Sequence, residues 1–182
     1  MVVKIELEVR MAVKIVRVLN TNAVVSSDQE GRELIITGAG IGFKKKKGEN
    51  LDEALADKTY YLESVDDSRR LQEVVKEISE EYLEIVSRIV KTAREEGLKV
   101  RDSLYVTLTD HINSAVDRYR ENIALKNMMK LEIRKFYPKE YEIGLRAVQW
   151  IQEQNDENLG EDEAAFIAMH IVSAELGNGC RC

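Results

Sequence analysis

The apolar pattern of the chain changes period once. Up to about residue 64 it comes in short runs rich in valine and isoleucine: VKIVRVL (residues 13–19), NAVVSS (22–27) and RELIIT (32–37). Such runs predict strands, and DQEG (28–31) before the third predicts a hairpin turn. The glycines Gly38, Gly40 and Gly42 bend the chain before a further short strand through 43–46, and YYLES (60–64) is the last strand candidate. From Ser68 the period becomes helical. Leu71, Val74, Val75, Ile78, Ile85, Val86, Ile89 and Val90 recur at three- and four-residue steps, predicting one long amphipathic helix that ends near Gly97. Further helices are predicted after Asp102, over 125–136, from Pro138 (the single proline, suited to a first helical turn) to about 154, and over 161–176.

These elements predict an α+β chain, with a small antiparallel β-sheet domain followed by an all-helical bundle of about five helices. SVDDS (64–68) reads as the joint, with a Ser or Asp as helix N-cap. The sheet domain has only roughly fifty residues for its core, a size at which dimerisation adds needed stability.

Composition narrows the classes. The chain has 182 residues, a formal net charge of −6 and 33% charged residues, and no apolar run approaches the roughly 20 residues that span a bilayer. The first ten residues alternate apolar and charged positions and lack a secretory apolar stretch, so the expected compartment is the cytoplasm. Cys180 and Cys182 are the two cysteines. Their single-residue spacing strains a disulfide, and a terminal tail leaves little to staple. The charge is uneven: between residues 11 and 48, Lys14, Arg17, Arg32 and the run 44–47 outnumber Asp28, Glu30 and Glu33. A basic front and an acidic back point to two modules with different partners.

Two constellations carry candidate chemistry. The first is the loop GAGIGFKKKKGEN (38–50). Lysines neutralise phosphates, glycines permit close approach of a ligand, and an exposed Phe43 stacks on an unpaired base. Asn20 and Asn22 flank a predicted turn, where amides can read base edges or hold a nucleic-acid backbone. The same residues also fit a lysine-protected edge strand, a core phenylalanine and ordinary turn chemistry. The second constellation is His111 and His170, each beside the apolar face of its predicted helix. A hydrogen-bonded core histidine, a metal ligand, a general base and a phosphoryl acceptor all compete. Metal is poorly supported: no His or Cys stands at helical ligand spacing, although Asp110 or Glu163 offers oxygens. No cofactor or metal is expected.

Taken in order and spacing, KIVRVLNTNAVV, GAGIGFKKKKGE, SLYVTLTDHINSAVDR and EDEAAFIAMHIVSAEL resemble the BglG-type transcriptional antiterminators over about residues 13–177. The resemblance implies a co-antiterminator RNA-binding domain over 11–63, a linker at 64–68 and a first phosphotransferase-system regulation domain over 69–177. Residues 1–10 are then an extension, native or vector-derived, and 178–182 a tail. It implies a homodimer that grips a leader-mRNA hairpin, prevents terminator formation and is not an enzyme. Asn20, Asn22, Gly38 and Phe43 stand where the family contacts RNA, with Arg17 and Lys44 as supporting contacts. His111 and His170 stand at its phosphorylation sites, supplied by a sugar permease or the histidine phosphocarrier.

The sequence departs from the family in places. Ala39 stands where a basic residue is frequent, Gly160 stands where a proline often opens the last helix, and a second regulation domain, common in the family, is not present in these residues. DNA binding is not expected, because the basic charge lies in the sheet module, and membrane insertion is not expected, because no apolar run is long enough. The competing class is a phosphorylatable protein–protein sensor whose β domain only dimerises.

Overall fold

The computed structural model describes residues 14–176 except 29, 52 and 79. The expectations for residues 1–10, for a domain start at 11 and for the tail with Cys180 and Cys182 lie outside the described residues. The chain forms two compact units that divide between Glu80 and Glu81.

The first unit holds a four-stranded antiparallel sheet in sequence order: β1 (Ile15–Asn20), β2 (Ala23–Ser27), β3 (Glu33–Thr37) and β4 (Lys58–Tyr60). Val24 pairs with Ile36 and Ser26 with Leu34, so these four share one face of the sheet. Ile15, Val24, Leu34 and Ile36 form one core cluster with Ile41 and Leu51 from the long β3–β4 connection. Val25 and Ile35 are equally buried, and alternation puts them on the opposite face. α1 (Val65–Glu77) lies against β1 and β2, with Leu71 and Val75 buried.

Three expectations change here. The predicted strand at 43–46 is a series of turns, because Ile41, Phe43 and Lys45 donate their N–H groups to the carbonyls of Gly38, Gly40 and Gly42 instead of to a neighbouring strand. The last strand is β4, ending at Tyr60 rather than beginning there. The joint expected at 64–68 is the start of α1: Ser64 is its N-cap, accepting from the Asp67 N–H at 3.2 Å.

The single long helix of the sequence pattern is also two helices. α1 stops at Ile78, whose backbone is extended (φ −108°, ψ 147°), and α2 runs Glu80–Glu95. The apolar steps continue through the break because two different cores use them. Leu71 and Val75 are buried in the sheet unit, whereas Leu83, Ile85, Val86, Ile89 and Val90 are buried in the helical unit.

The second unit continues with α3 (Ser103–Arg120), α4 (Lys130–Phe136), α5 (Pro138–Asn155) and α6 (Gly160–Leu176). The helix expected over 125–136 is thus a seven-residue helix that starts at Lys130. α6 is the hub, packed by α3, α4 and α5. Gly144 makes the α5–α6 approach possible, since a Cβ there would lie 2.2 Å from the Ala164 carbonyl oxygen. Ala164 and Ala165 are fully buried, and Glu163 beside them is held in the interior of the unit with them.

Candidate nucleic-acid interface and histidine pair

In the sheet unit, two loops are stitched together by hydrogen bonds. The β1–β2 turn is shaped by Asn20, whose Oδ1 accepts from the Asn22 N–H at 2.8 Å. Asn22 then reaches across, and its Oδ1 accepts from the Gly40 N–H at 2.9 Å. Backbone bonds of 2.9 Å from Gly38 N–H to the Asn22 carbonyl and from Gly42 N–H to the Thr21 carbonyl complete the join. Gly38 is a close-approach position: a Cβ there would sit 1.7 Å from the Leu55 carbonyl oxygen. The far end of the loop returns to the sheet, where Ile15 N–H donates to Glu49 and Gly48 N–H to Ile15.

Between these anchors the loop presents Phe43, 59% exposed, followed by the lysines. Lys44 adopts a left-handed backbone (φ 56°), and its Nζ lies 5.1 Å from the Phe43 ring centroid. An aromatic face backed by a cation, on a rigidly tied loop, offers a stacking surface to a base and charge to a phosphate. Asn20, Asn22, Gly38, Phe43 and Lys44 are therefore brought together in one loop pair. Arg17 is not in it. Its Nη1 donates to Gln72 Oε1 at 2.5 Å, and its Nη2 lies 3.9 Å from Glu33 Oε1. Gln72, buried in α1, also donates to Glu33 Oε2 at 2.6 Å. Asn20 donates its amide to the Val75 carbonyl at 2.7 Å. Sequence reasoning missed this role of α1. The available signal was Gln72, a polar residue inside the apolar stripe between Leu71 and Val75.

In the helical unit, α3 and α6 bring the two histidines into contact, with ring centroids 4.6 Å apart and planes tilted by 45°. Phe166 closes one side, 6.1 Å from the His111 ring. His111 Nε2 lies 2.5 Å from Glu163 Oε1, and neither atom has a hydrogen-bond partner among the described residues. Glu163 Oε2 is 3.6 Å from Arg118 Nη2. Burial pushes the His170 imidazole down to about 4, helped by the facing His111, against the weaker pull of Glu163 and Asp110. Glu163 and Arg118 were not among the residues singled out for phosphorylation. Their spacing from the histidines becomes meaningful only when α3 and α6 pack. No group of three or more His, Cys, Asp or Glu among the described residues is placed to hold a metal ion.

The family models that match are the CAT RNA binding domain over residues 13–69 and the PRD domain over residues 83–174. The chain belongs to the BglG-type antiterminator family. It is 38% identical over 164 residues to transcription antiterminator LicT of Bacillus subtilis (strain 168), covering 90% of this chain and 59% of LicT. A beta-glucoside operon antiterminator of Dickeya chrysanthemi is likewise 38% identical over 164 residues, 90% of this chain and 58% of that protein. The chain thus spans a little under three-fifths of the length of these curated relatives. Among solved structures it is similar to the crystal structure of GlcT CAT-PRDI, with a TM-score of 0.72 and 26% identity over 91% of this chain and 99% of that one. The α+β class and the antiterminator family expected from the motifs are the ones found. In this BglG-type chain the PRD match begins inside α2, and α1 packs with the sheet in the unit that holds the CAT match.

Proposed function

We propose that this chain is a sugar-responsive transcription antiterminator. As a homodimer it binds a hairpin in a nascent leader mRNA and prevents an overlapping terminator from forming. Phosphorylation of His111 and His170 governs it, with the phosphoryl group supplied by the sugar permease or histidine phosphocarrier of the phosphotransferase system. The work takes place in the cytoplasm, where transcription and those donors meet.

The observation that carries the reading is the exposed Phe43 on a loop clamped to the Asn20–Asn22 turn and followed by four lysines. A folded hairpin with unpaired bases matches that surface, since stacking contributes about 1–3 kcal/mol per base and each lysine–phosphate contact releases counterions. The side-chain oxygens of both asparagines shape the loops, so RNA meets a surface ordered before binding. Within that surface Asn22 keeps its Nδ2 for an acceptor, because no protein partner for it is found among the described residues. Arg17 is a secondary contact that RNA must draw away from Gln72.

The histidine pair supports the regulatory half. The His170 ring is uncharged near neutral pH, since burial and the facing His111 hold it down to about 4. A phosphoryl group adds about 1.5 to 2 negative charges to this buried contact and favours a rearrangement of α3 against α6. We place the working division between RNA module and regulation domain after α1 rather than at 64–68, because α1 packs on the sheet.

A gel-shift series with candidate leader hairpins tests the reading. The wild type binds at submicromolar concentration, the affinity falls steeply with salt, and Asn22→Ala and Phe43→Ala bind more weakly. Equal binding by all three proteins removes the role assigned to the loop pair and favours a sensor whose sheet domain only dimerises.

A further inference from the structure

We infer that Glu163 is a gate on His111, and that Arg118 is the cation that takes up the phosphoryl group once the gate is displaced. This inference rests on His111 being a phosphoryl acceptor and concerns what the acceptor's own neighbours must do. In the unmodified protein His111 Nε2 is buried, and Glu163 Oε1 sits 2.5 Å from it. No phosphorus atom fits into that gap and the carboxylate repels an incoming phosphoryl anion, so Nε2 reacts only after the carboxylate swings aside. Glu163 is itself steered by Arg118, whose Nη2 is 3.6 Å from its second oxygen.

The chemistry then reverses the preference of every charge. In the transfer the donor's P–N bond breaks and a bond from phosphorus to His111 Nε2 forms. Nε2 attacks through its lone pair, and the proton the ring gives up, from Nδ1, passes to the departing donor nitrogen. The product places a dianionic phosphoryl group where a carboxylate stood. Two anions in one partly dehydrated contact repel, whereas Arg118, on the same helix as His111, is a cation 3.6 Å from the other oxygen of that carboxylate. A guanidinium fork suits three phosphoryl oxygens better than one carboxylate oxygen at long range. Arg118 therefore exchanges partners, and Glu163, on the first turn of α6, is expelled. α6 is the helix that α3, α4 and α5 all pack against, so the exchange loosens the hub of the unit.

Phosphoramidate, a small phosphoryl donor that needs no partner protein, is the probe, with site-resolved mass spectrometry in alkaline solution as the readout. Relative to wild type, Glu163→Gln labels at His111 about tenfold faster, with a much smaller change at His170. Arg118→Gln labels His111 more slowly, and Arg118→Lys restores most of the rate. Equal rates at His111 for wild type and Glu163→Gln overturn the gate. Should Glu163→Gln fail to fold, the arginine variants decide alone, and equal labelling of wild type and Arg118→Gln overturns the proposal. If phosphotransferase proteins fail to label the chain while phosphoramidate still labels Glu163→Gln faster, the gate stands and only the identity of the natural donor falls.

Discussion

Asn20, the last residue of β1, donates its side-chain amide to the backbone carbonyl of Val75 at 2.7 Å while its oxygen shapes the turn to Asn22. One side chain thus ties the β1–β2 turn to α1. An asparagine that the family resemblance assigns to RNA is first a structural joint of the sheet unit.

Asn20→Ala removes both bonds and leaves the Val75 carbonyl without this donor. The expected loss is about 1–3 kcal/mol of stability in the sheet unit. Urea unfolding followed by far-ultraviolet circular dichroism checks it, and a loss under about 0.5 kcal/mol contradicts the joint.

Phe43→Ala separates binding from folding. The ring is exposed, so stability changes by no more than about 0.5 kcal/mol. Affinity for a leader hairpin falls by about 1–3 kcal/mol if a base stacks on the ring. Fluorescence anisotropy with labelled RNA, beside a thermal melt of the same protein, reads both quantities. A variant that melts early and binds normally reverses the assignment.

Gly38→Ala has no such separation. Its Cβ would meet the Leu55 carbonyl oxygen at 1.7 Å, and that oxygen belongs to backbone that cannot turn aside. The loop must leave the position where Asn22 holds it. The expected cost is on the order of 3 kcal/mol, with RNA binding lost in parallel. Normal melting and normal binding would show that the loop does not need this approach.

His170 makes the helical unit sensitive to acid. Its folded-state value of about 4 lies below its ordinary 6.5, so between these values the unfolded chain binds a proton that the folded chain refuses. Stability from this group is therefore complete above about pH 6.5, and it declines on the order of 2 kcal/mol as pH falls toward 4. His170→Asn removes that part of the slope. Denaturant midpoints for both proteins at pH 7.5 and pH 4.5 make the comparison, and parallel curves refute it.

Much of the fold could be read along the chain because strand and helix leave different periods. The runs around Val18, Val24 and Ile35 appear as β1, β2 and β3, and the proline at 138 opens α5 as its missing N–H and fixed φ favour. The break at Ile78 could not be read. A step of three or four residues continues across it, and periodicity records which face is apolar, not which core receives that face. The loop at 43–46 misled for a related reason: Phe43 followed by lysines fits a lysine-protected edge strand, yet successive turns anchored on Gly38, Gly40 and Gly42 consume the hydrogen bonds that a strand would need.

The sequence by itself determined the types and order of the elements, the placing of positive charge in the sheet module and the two histidine motifs. Each follows from residue type and local spacing, which act over a few positions along the chain. Only tertiary packing decided that α1 serves the sheet, that Arg17 is held by Gln72, and that Glu163, with Arg118 at its second oxygen, lies against His111 beside His170. Those contacts join residues far apart in sequence. Their strength depends on burial and on distances of a few ångströms, and local spacing sets neither.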